Sequence, residues 1–272
     1  MGLSILLGAA FASARVAAAS DEPPGGAGRP YENPGAGNAA GSFDFGASAP
    51  GQRYRVCMAK ARAAPEAAFD DAVAWTGLGG GLPARHCLAA ALIGLGQHGE
   101  GARRLEALAQ DTRDGAMRAE LLAQAAQGWL LAGDPARADD VLTAAIRIAP
   151  DNVELLVDRA GARAALKRYG EAEKDLTAAL AREPRRADVL ALRASARRFL
   201  DDIDGAHQDA EAALALDPAL PEALLERGIL RRIKSDDAGA RADWLKILRL
   251  APSGAAAEAA RKNLELMDVK DR

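Results

Sequence analysis

The widest range of chemistry in this sequence is open to its two cysteines, Cys57 and Cys87, and to the histidine beside the second, His86. A cysteine next to a histidine could be an activated thiol, and the same side chains could ligate zinc. Both interpretations need further groups that the sequence does not place nearby, because His98 and His207 fall in separate helical turns. We therefore predict no catalytic residue, no metal site and no cofactor.

The two cysteines have a simpler interpretation that depends on the compartment. A pair separated by 30 residues in an exported protein predicts one disulfide bond, Cys57–Cys87. In a reducing compartment the same side chains are two small buried apolar groups.

Residues 1–19 favour export. They contain no acid and carry an apolar run, Leu3 to Phe11, followed by Ala17, Ala18 and Ala19 as in a cleavage site. The basic residue that usually precedes such a run is missing. The run is too short for a permanent membrane span, so we expect a periplasmic protein, with a cytoplasmic location as the alternative.

Residues 20–52 are rich in Gly, Pro and Ala and show no helical period. This composition predicts a disordered tether. Phe43 and Phe45 form its one closely spaced aromatic pair. They belong either to the disordered segment or to a short stretch that docks on a partner or on the chain's own helices. The helical pattern begins at Arg53.

A strict period of 34 residues organises the rest of the chain. It is marked by prolines that each close an apolar stretch: Pro150, Pro184, Pro218 and Pro252. Frames of this length begin at Ala119, Val153, Ala187 and Pro221. Small residues stand at frame position 8 (Ala126, Ala160, Ala194, Gly228) and at position 20 (Ala138, Ala172, Ala206, Ala240). Such a period indicates stacked helical hairpins whose two helices cross at small side chains.

This pattern resembles the tetratricopeptide repeat (TPR) family. The resemblance implies an all-α fold, a right-handed α-solenoid of helical hairpins with a C-terminal capping helix. The regular repeats are 119–152, 153–186, 187–220 and 221–252; residues 53–118 form degenerate hairpins, and 253–272 the capping helix and tail. In this register Cys57 and Cys87 lie on the first helices of adjacent repeats.

Two charged positions of the frame vary together. Arginine at position 7 and aspartate at position 23 occur in the last three repeats (Arg159 with Asp175, Arg193 with Asp209, Arg227 with Asp243), whereas the 119–152 repeat has Ala125 and Val141. Because the arginine and the aspartate are either both present or both absent in a repeat, we predict that they form structural ion pairs across the hairpin.

The resemblance also implies a concave face, formed by the first helices, that holds a peptide. Its candidate residues are Glu120, Gln127, Glu154, Asp158, Asp188, Arg198, Phe199, Glu222, Leu225, Glu226, Ile229, Arg232 and Ile233. The acids among them form an acidic rim (Glu120, Glu154, Asp158, Asp188, Glu222, Glu226) beside an apolar strip (Phe199, Leu225, Ile229, Ile233). This arrangement favours a segment with basic and apolar side chains. Asp158 and Glu226 lie a turn beyond the acids that serve the helix dipole, so we expect lysine at both positions to weaken binding while leaving stability nearly unchanged. The family's carboxylate clamp for chaperone tails is absent.

These observations favour a non-catalytic scaffold that binds another protein or a peptide. A net charge of −3 gives no electrostatic footprint for nucleic acid. The alternatives are a structural subunit of an envelope complex that uses its convex face, and an enzyme or regulator with an unrecognised site.

Overall fold

The computed structural model describes Phe43, Phe45, Gly46 and residues 48–270. The predicted leader and most of the predicted tether lie outside these residues. The described chain contains thirteen α-helices and no strands, so the fold class is an α-solenoid of helical hairpins. It divides into two compact units between Asn152 and Val153.

Three successive helix pairs build the N-terminal unit. They are α1 (Ala49–Ala63) with α2 (Pro65–Gly77), α3 (Gly81–Gly94) with α4 (His98–Asp111), and α5 (Gly115–Leu131) with α6 (Pro135–Ile148). The first helices α1 and α3 pack against each other, α2 packs against α3, and α4 packs against α5.

Three further hairpins and a terminal helix build the C-terminal unit. They are α7 (Val153–Ala165) with α8 (Tyr169–Arg182), α9 (Ala187–Phe199) with α10 (Ile203–Leu216), α11 (Pro221–Ile233) with α12 (Asp237–Leu250), and α13 (Ala255–Lys270). Helix α13 packs against α11 and α12 and buries Ala257, Ala260 and Met267. None of the described helices is both long and apolar enough to cross a bilayer.

The crossing point of each hairpin is formed by small residues. The alanines at frame position 20 are fully buried, as are Ala160 and Ala194 at position 8. The last hairpin is a variant in which Gly228 faces Trp244. A Cβ on Gly228 would lie 2.3 Å from Trp244 Nε1, so the glycine makes room for the larger ring.

The turns within the hairpins have a recurrent start signal for the second helix. Asp134, Asp202 and Asp236 each accept a hydrogen bond from a backbone N–H three residues later, which caps α6, α10 and α12. The residue before each cap has positive φ; it is Gly133 in one turn and the non-glycine Asp201 and Ser235 in the others.

The start of the helical region is earlier than predicted. Helix α1 begins at Ala49, not at Arg53, because the Ser48 hydroxyl accepts a hydrogen bond from the Gly51 N–H and Pro50 suits the first helical turn. The last residues of the predicted tether are therefore helical.

Candidate functional site

The candidate residues on α7, α9 and α11 lie on the corresponding side of each helix. We call this surface the C-terminal first-helix face. It comprises Glu154 and Asp158; Asp188, Arg198 and Phe199; and Glu222, Leu225, Glu226, Ile229, Arg232 and Ile233. Their frame positions 2, 5, 6, 9, 12 and 13 recur at helical spacing, which places them along one side of each helix.

One arginine neutralises much of the predicted acidic rim. Arg186 donates from Nε and Nη2 to the two carboxylate oxygens of Asp188 at 2.9 and 2.7 Å, and from Nη1 to Glu154 Oε1 at 2.6 Å. Burial alone would raise the pKa of Asp188, yet the hydrogen bonds from Arg186 hold this pKa below its ordinary value. Two of the rim acids are thus engaged within the protein.

Glu222 is the rim acid with the opposite perturbation. Burial raises the pKa of Glu222, and the neighbouring carboxylates of Asp188 and Asp217 raise it further. The rim is therefore a weaker attractant for cations than its sequence suggests.

Glu226 is buried, so it does not lie on an open acidic rim as the sequence suggested. It accepts hydrogen bonds from Arg198 Nε at 2.7 Å and Nη2 at 3.1 Å, and the two side chains are only 7% and 6% exposed. A bidentate pair this deep fixes α9 against α11. Lysine at position 226 would leave two cations buried together, so the expectation that it is tolerated is wrong.

Phe199 is half-buried and packs beside Arg198, so it does not belong to an open apolar strip. Its ring stacks on Tyr169 with 4.4 Å between centroids, and the Arg198 guanidinium lies 4.4 Å from the Phe199 centroid. Burial raises the pKa of the Tyr169 hydroxyl. These contacts give Phe199 a packing role.

The end of the face formed by α11 has a different character. Ile233 is 51% exposed, Ile229 is half-buried, and Leu225 beneath them is buried. The guanidinium of Arg232, between the two isoleucines in sequence, forms no ion pair or hydrogen bond with any described residue. This end therefore offers solvent an apolar surface and an available guanidinium.

The register explains why Arg232 has no carboxylate. Glu226 lies 28 residues after Arg198, its partner, and the residue at the same distance from Arg232 is Ala260 of α13. Ala260 is fully buried against the preceding helices. Where α11 supplies the carboxylate of Glu226 to Arg198, the capping helix supplies only a methyl group to Arg232 at the same spacing.

The ion pairs across the hairpins are larger than a two-residue motif. Arg159 donates from Nε and Nη2 to Asp175 at 2.9 and 2.7 Å, and Arg163 donates to the same carboxylate at 2.8 Å. The other two hairpins repeat this arrangement with Arg193, Arg197 and Asp209, and with Arg227, Arg231 and Asp243. Each buried aspartate accepts hydrogen bonds from two arginines. The arginine at frame position 11 therefore shares the structural role of the arginine at position 7.

Glu120 and Gln127 belong to the N-terminal unit, where they lie on α5 and are half-buried. Glu120 accepts a hydrogen bond from Gln124 Nε2 at 3.1 Å, and Gln124 Oε1 lies 2.7 Å from His86 Nε2. His86 is fully buried, and its Nδ1 lies 2.7 Å from the Tyr54 hydroxyl. A continuous hydrogen-bond chain therefore links α1, α3 and α5.

The polarity of this chain follows from its first donor. The Phe43 N–H donates to the Tyr54 oxygen at 3.2 Å, which leaves the phenol proton to donate to His86 Nδ1. The Nε2–H of a neutral His86 then donates to Gln124. Desolvation lowers the pKa of His86 to about 4, partly opposed by the hydrogen bond to Gln124, so the imidazole is neutral at physiological pH.

Phe43 and Phe45 lie on the chain's own helices, one of the two interpretations left open by the sequence. The Phe43 ring lies 4.9 Å from the His86 ring, and Phe45 meets Tyr54 edge-on at 4.8 Å. Both phenylalanines pack on the core cluster that contains Cys57 and Cys87. These two cysteines form a disulfide bond between α1 and α3, with their Cα atoms 6.0 Å apart.

Several of these residues escaped the sequence analysis. Arginine at the frame position of Arg186 and glutamine at that of Gln124 each occur in only one of the regular repeats. No periodic signal therefore identifies these two residues. Arg163, Arg197 and Arg231 do recur at one frame position, and Trp129 replaces them in the repeat that lacks the aspartate. That pattern was sufficient to predict their role.

Comparison with known proteins agrees with the fold. The TPR family matches residues 130–196 of this chain. MamA from Desulfovibrio magneticus RS-1, from residue 41 to its end, is 20% identical with a TM-score of 0.55, over 62% of this chain and 94% of that one. YrrB, described as a TPR protein with an unusual peptide-binding site, is 16% identical with a TM-score of 0.50, over 66% of this chain and 91% of its own. No curated protein sequence matches this chain.

Proposed function

We propose that this protein is a non-catalytic scaffold that binds a segment of another protein on the C-terminal first-helix face. The observation that carries the proposal is the available Arg232 guanidinium beside the exposed Ile233. Among the described residues this cation has no carboxylate partner, and it lies next to an isoleucine that is 51% exposed, so an incoming segment can supply both an acid and an apolar side chain.

The chemistry of this end defines the segment. Arg232 would receive a carboxylate, and Ile229 and Ile233 would receive apolar side chains. The partner segment therefore carries an acidic residue next to apolar ones, which differs from the basic segment favoured by the sequence alone. The change follows from Arg186 and Arg198, whose carboxylate partners leave little acidic surface for a basic ligand.

The non-catalytic part of the proposal rests on where the charged groups are. The arginines and aspartates of the hairpins are engaged with each other, and neutral His86 is enclosed by Tyr54 and Gln124. Among the described residues, no group of three potential metal ligands comes together. The likeness to YrrB and MamA concerns the fold, and the face itself is the basis for the function.

We further propose that the protein is exported to the periplasm. The leader-like pattern of residues 1–19 supports this, as does the disulfide bond, because disulfides persist in oxidising compartments. Intact-mass analysis of natively expressed protein tests it. A mature N-terminus near Ser20 and no alkylatable thiol are expected; retention of residues 1–19 with two free thiols contradicts it.

Selection from a random displayed-peptide library tests the binding proposal. Peptides selected on the immobilised full chain should share an acidic residue flanked by apolar ones. Synthetic versions are then titrated against wild type, Arg232→Ala and Ile233→Ser. Matched controls on the second helix of the same hairpin are Arg249→Ala and Leu245→Ser, since Leu245 is 41% exposed.

The expected result is a loss of affinity for the two α11 variants and unchanged affinity for the two α12 variants. Arg232→Ala should cost about 1–3 kcal/mol of binding free energy if it removes a charge-assisted hydrogen bond. Equal binding by all five proteins contradicts the proposal and places recognition elsewhere on the chain.

A further inference from the structure

The segment before α1 is held by specific contacts on the first helices of the N-terminal unit. The Phe43 N–H donates to Tyr54, and the Gly46 carbonyl accepts a hydrogen bond from Arg55 Nη1 at 3.0 Å. Two backbone groups of the segment thus form hydrogen bonds with side chains of the helix.

The aromatic side chains of the segment have matching partners. Phe43 contacts the His86 ring, and Phe45 meets the Tyr54 ring edge-on, which is a favourable geometry for aromatic pairs. The two phenylalanines are themselves 6.2 Å apart in a T-shaped arrangement. Two ring sites at adjacent positions therefore accept side chains at i and i+2.

The helix surface is also shaped for close approach of this backbone. A Cβ on Gly51 would lie 2.2 Å from the Gly46 carbonyl oxygen and 2.8 Å from that of Phe45. The glycine therefore lets the segment lie directly on α1.

The polar groups beneath the segment argue against a purely apolar cover. Tyr54 and His86 are both fully buried, yet they form a hydrogen-bond chain that continues through Gln124 to Glu120. Buried polar groups that are fully satisfied fix ring positions, and here they hold the two rings that face Phe43 and Phe45.

We propose that this surface is a binding site for a peptide segment with two aromatic side chains at i and i+2, and that Phe43 and Phe45 occupy it as an intramolecular ligand. A partner with the same aromatic spacing binds when it displaces the resident segment. The site lies in the N-terminal unit and is independent of the face around Arg232.

The covalent connection between the resident segment and the helices determines how strongly the segment competes with a free ligand. A covalently attached ligand has an effective concentration of about millimolar for a short flexible connection, so it strongly suppresses binding of a free competitor. Removal of the resident rings should expose the site to the same segment added in trans.

The test uses the full chain and a fluorescein-labelled synthetic peptide with the sequence of residues 40–50. Anisotropy titrations compare wild type with Phe43→Ala/Phe45→Ala. A control peptide has alanine in place of both phenylalanines. The single variants Phe43→Ala and Phe45→Ala replace the double variant if the double variant does not fold, as judged by its thermal transition.

The expected result is binding of the phenylalanine peptide to the emptied variant at least about tenfold more tightly than to wild type, with no binding of the alanine peptide. Arg232→Glu in the emptied background should leave this binding unchanged, so the outcome is separable from that of the C-terminal face. Absence of binding to every folded variant overturns the proposal, because the segment is then only a structural cover. Equal binding to wild type and to the emptied variant also overturns it, because the peptide then uses another site.

Discussion

Arg198 and Glu226 join two consecutive first helices of the C-terminal unit through a buried, bidentate ion pair. Their positions are 28 residues apart and do not repeat as a pair in the frame. The pair removes an acid from the surface that the sequence assigned to ligand binding. Arg232, by contrast, has no such carboxylate among the described residues, so its guanidinium is available.

Glu226→Lys should destabilise the protein strongly. The substitution leaves Arg198 buried without a carboxylate and adds a second cation beside it, so we expect a loss of about 3–5 kcal/mol in the free energy of unfolding. Urea denaturation measures the loss. Glu265→Lys, at an exposed acid of α13 beyond its first turn, is the matched control and should change stability by less than about 0.5 kcal/mol. Similar stability of the two variants would show that the pair does not form.

Asp209 has two arginine partners, which sets the pattern expected for their removal. Arg193→Ala leaves the bond from Arg197 at 2.9 Å, so each single substitution should cost only about 1–3 kcal/mol. The double substitution leaves a buried, unpaired carboxylate and should cost more than the sum of the singles, by at least about 1 kcal/mol.

A third substitution, Asp209→Val in the Arg193→Ala/Arg197→Ala background, should recover much of that loss. The 119–152 repeat already has Ala125 and Val141 at the corresponding places. Urea denaturation of the full set measures the coupling. Simple additivity of the two single losses would mean that the arginines do not share the carboxylate.

These ion pairs show which features a single sequence can predict. The 34-residue period predicts the helix pairs from Ala119 onward, because prolines and small residues recur at fixed frame positions. It also predicts that Arg193 pairs with Asp209, because the two positions change together. The Arg198–Glu226 pair and the Tyr54–His86 contact each occur once, and the latter lies in repeats with irregular spacing. Neither leaves a periodic signal, so the character of both candidate surfaces required the structure.

Neutral His86 should make the N-terminal unit sensitive to acid. Its pKa is about 4 in the folded protein and 6.5 in an unfolded chain, so the unfolded state binds the proton first. The stabilisation is complete above pH 6.5 and is lost as the pH falls towards 4. By pH 5 we expect a loss of about 2 kcal/mol relative to pH 7.

His86→Gln is the control for this pH dependence. Its amide can accept from Tyr54 and donate to Gln124 without titrating, while the groups around it, Tyr54 and Glu120 included, stay in place. Urea denaturation at pH 7 and pH 5 should show the loss in wild type and a much smaller one in the variant. The same loss in both proteins would assign the acid sensitivity to other groups.

Reduction of the Cys57–Cys87 disulfide should destabilise the N-terminal unit by about 3–4 kcal/mol in the chain-entropy model for a loop of this size. Hydrogen exchange with and without reductant locates the effect. Faster exchange is expected in α1 to α4, with little change from Val153 onward. Cys57→Ala/Cys87→Ala should reproduce the exchange of the reduced protein, and unchanged exchange on reduction would contradict the prediction.

A charge-swap cycle at Arg232 tests the central claim most directly. A selected acidic, apolar peptide and its version with lysine in place of the acid are titrated against wild type, Arg232→Glu and the control Arg249→Glu. The account predicts that Arg232→Glu weakens binding of the acidic peptide and restores binding of the lysine peptide, while Arg249→Glu does neither. Equal affinity of the acidic peptide for wild type and Arg232→Glu, or no restoration by the lysine peptide, would contradict the claim that this face receives a carboxylate of the partner.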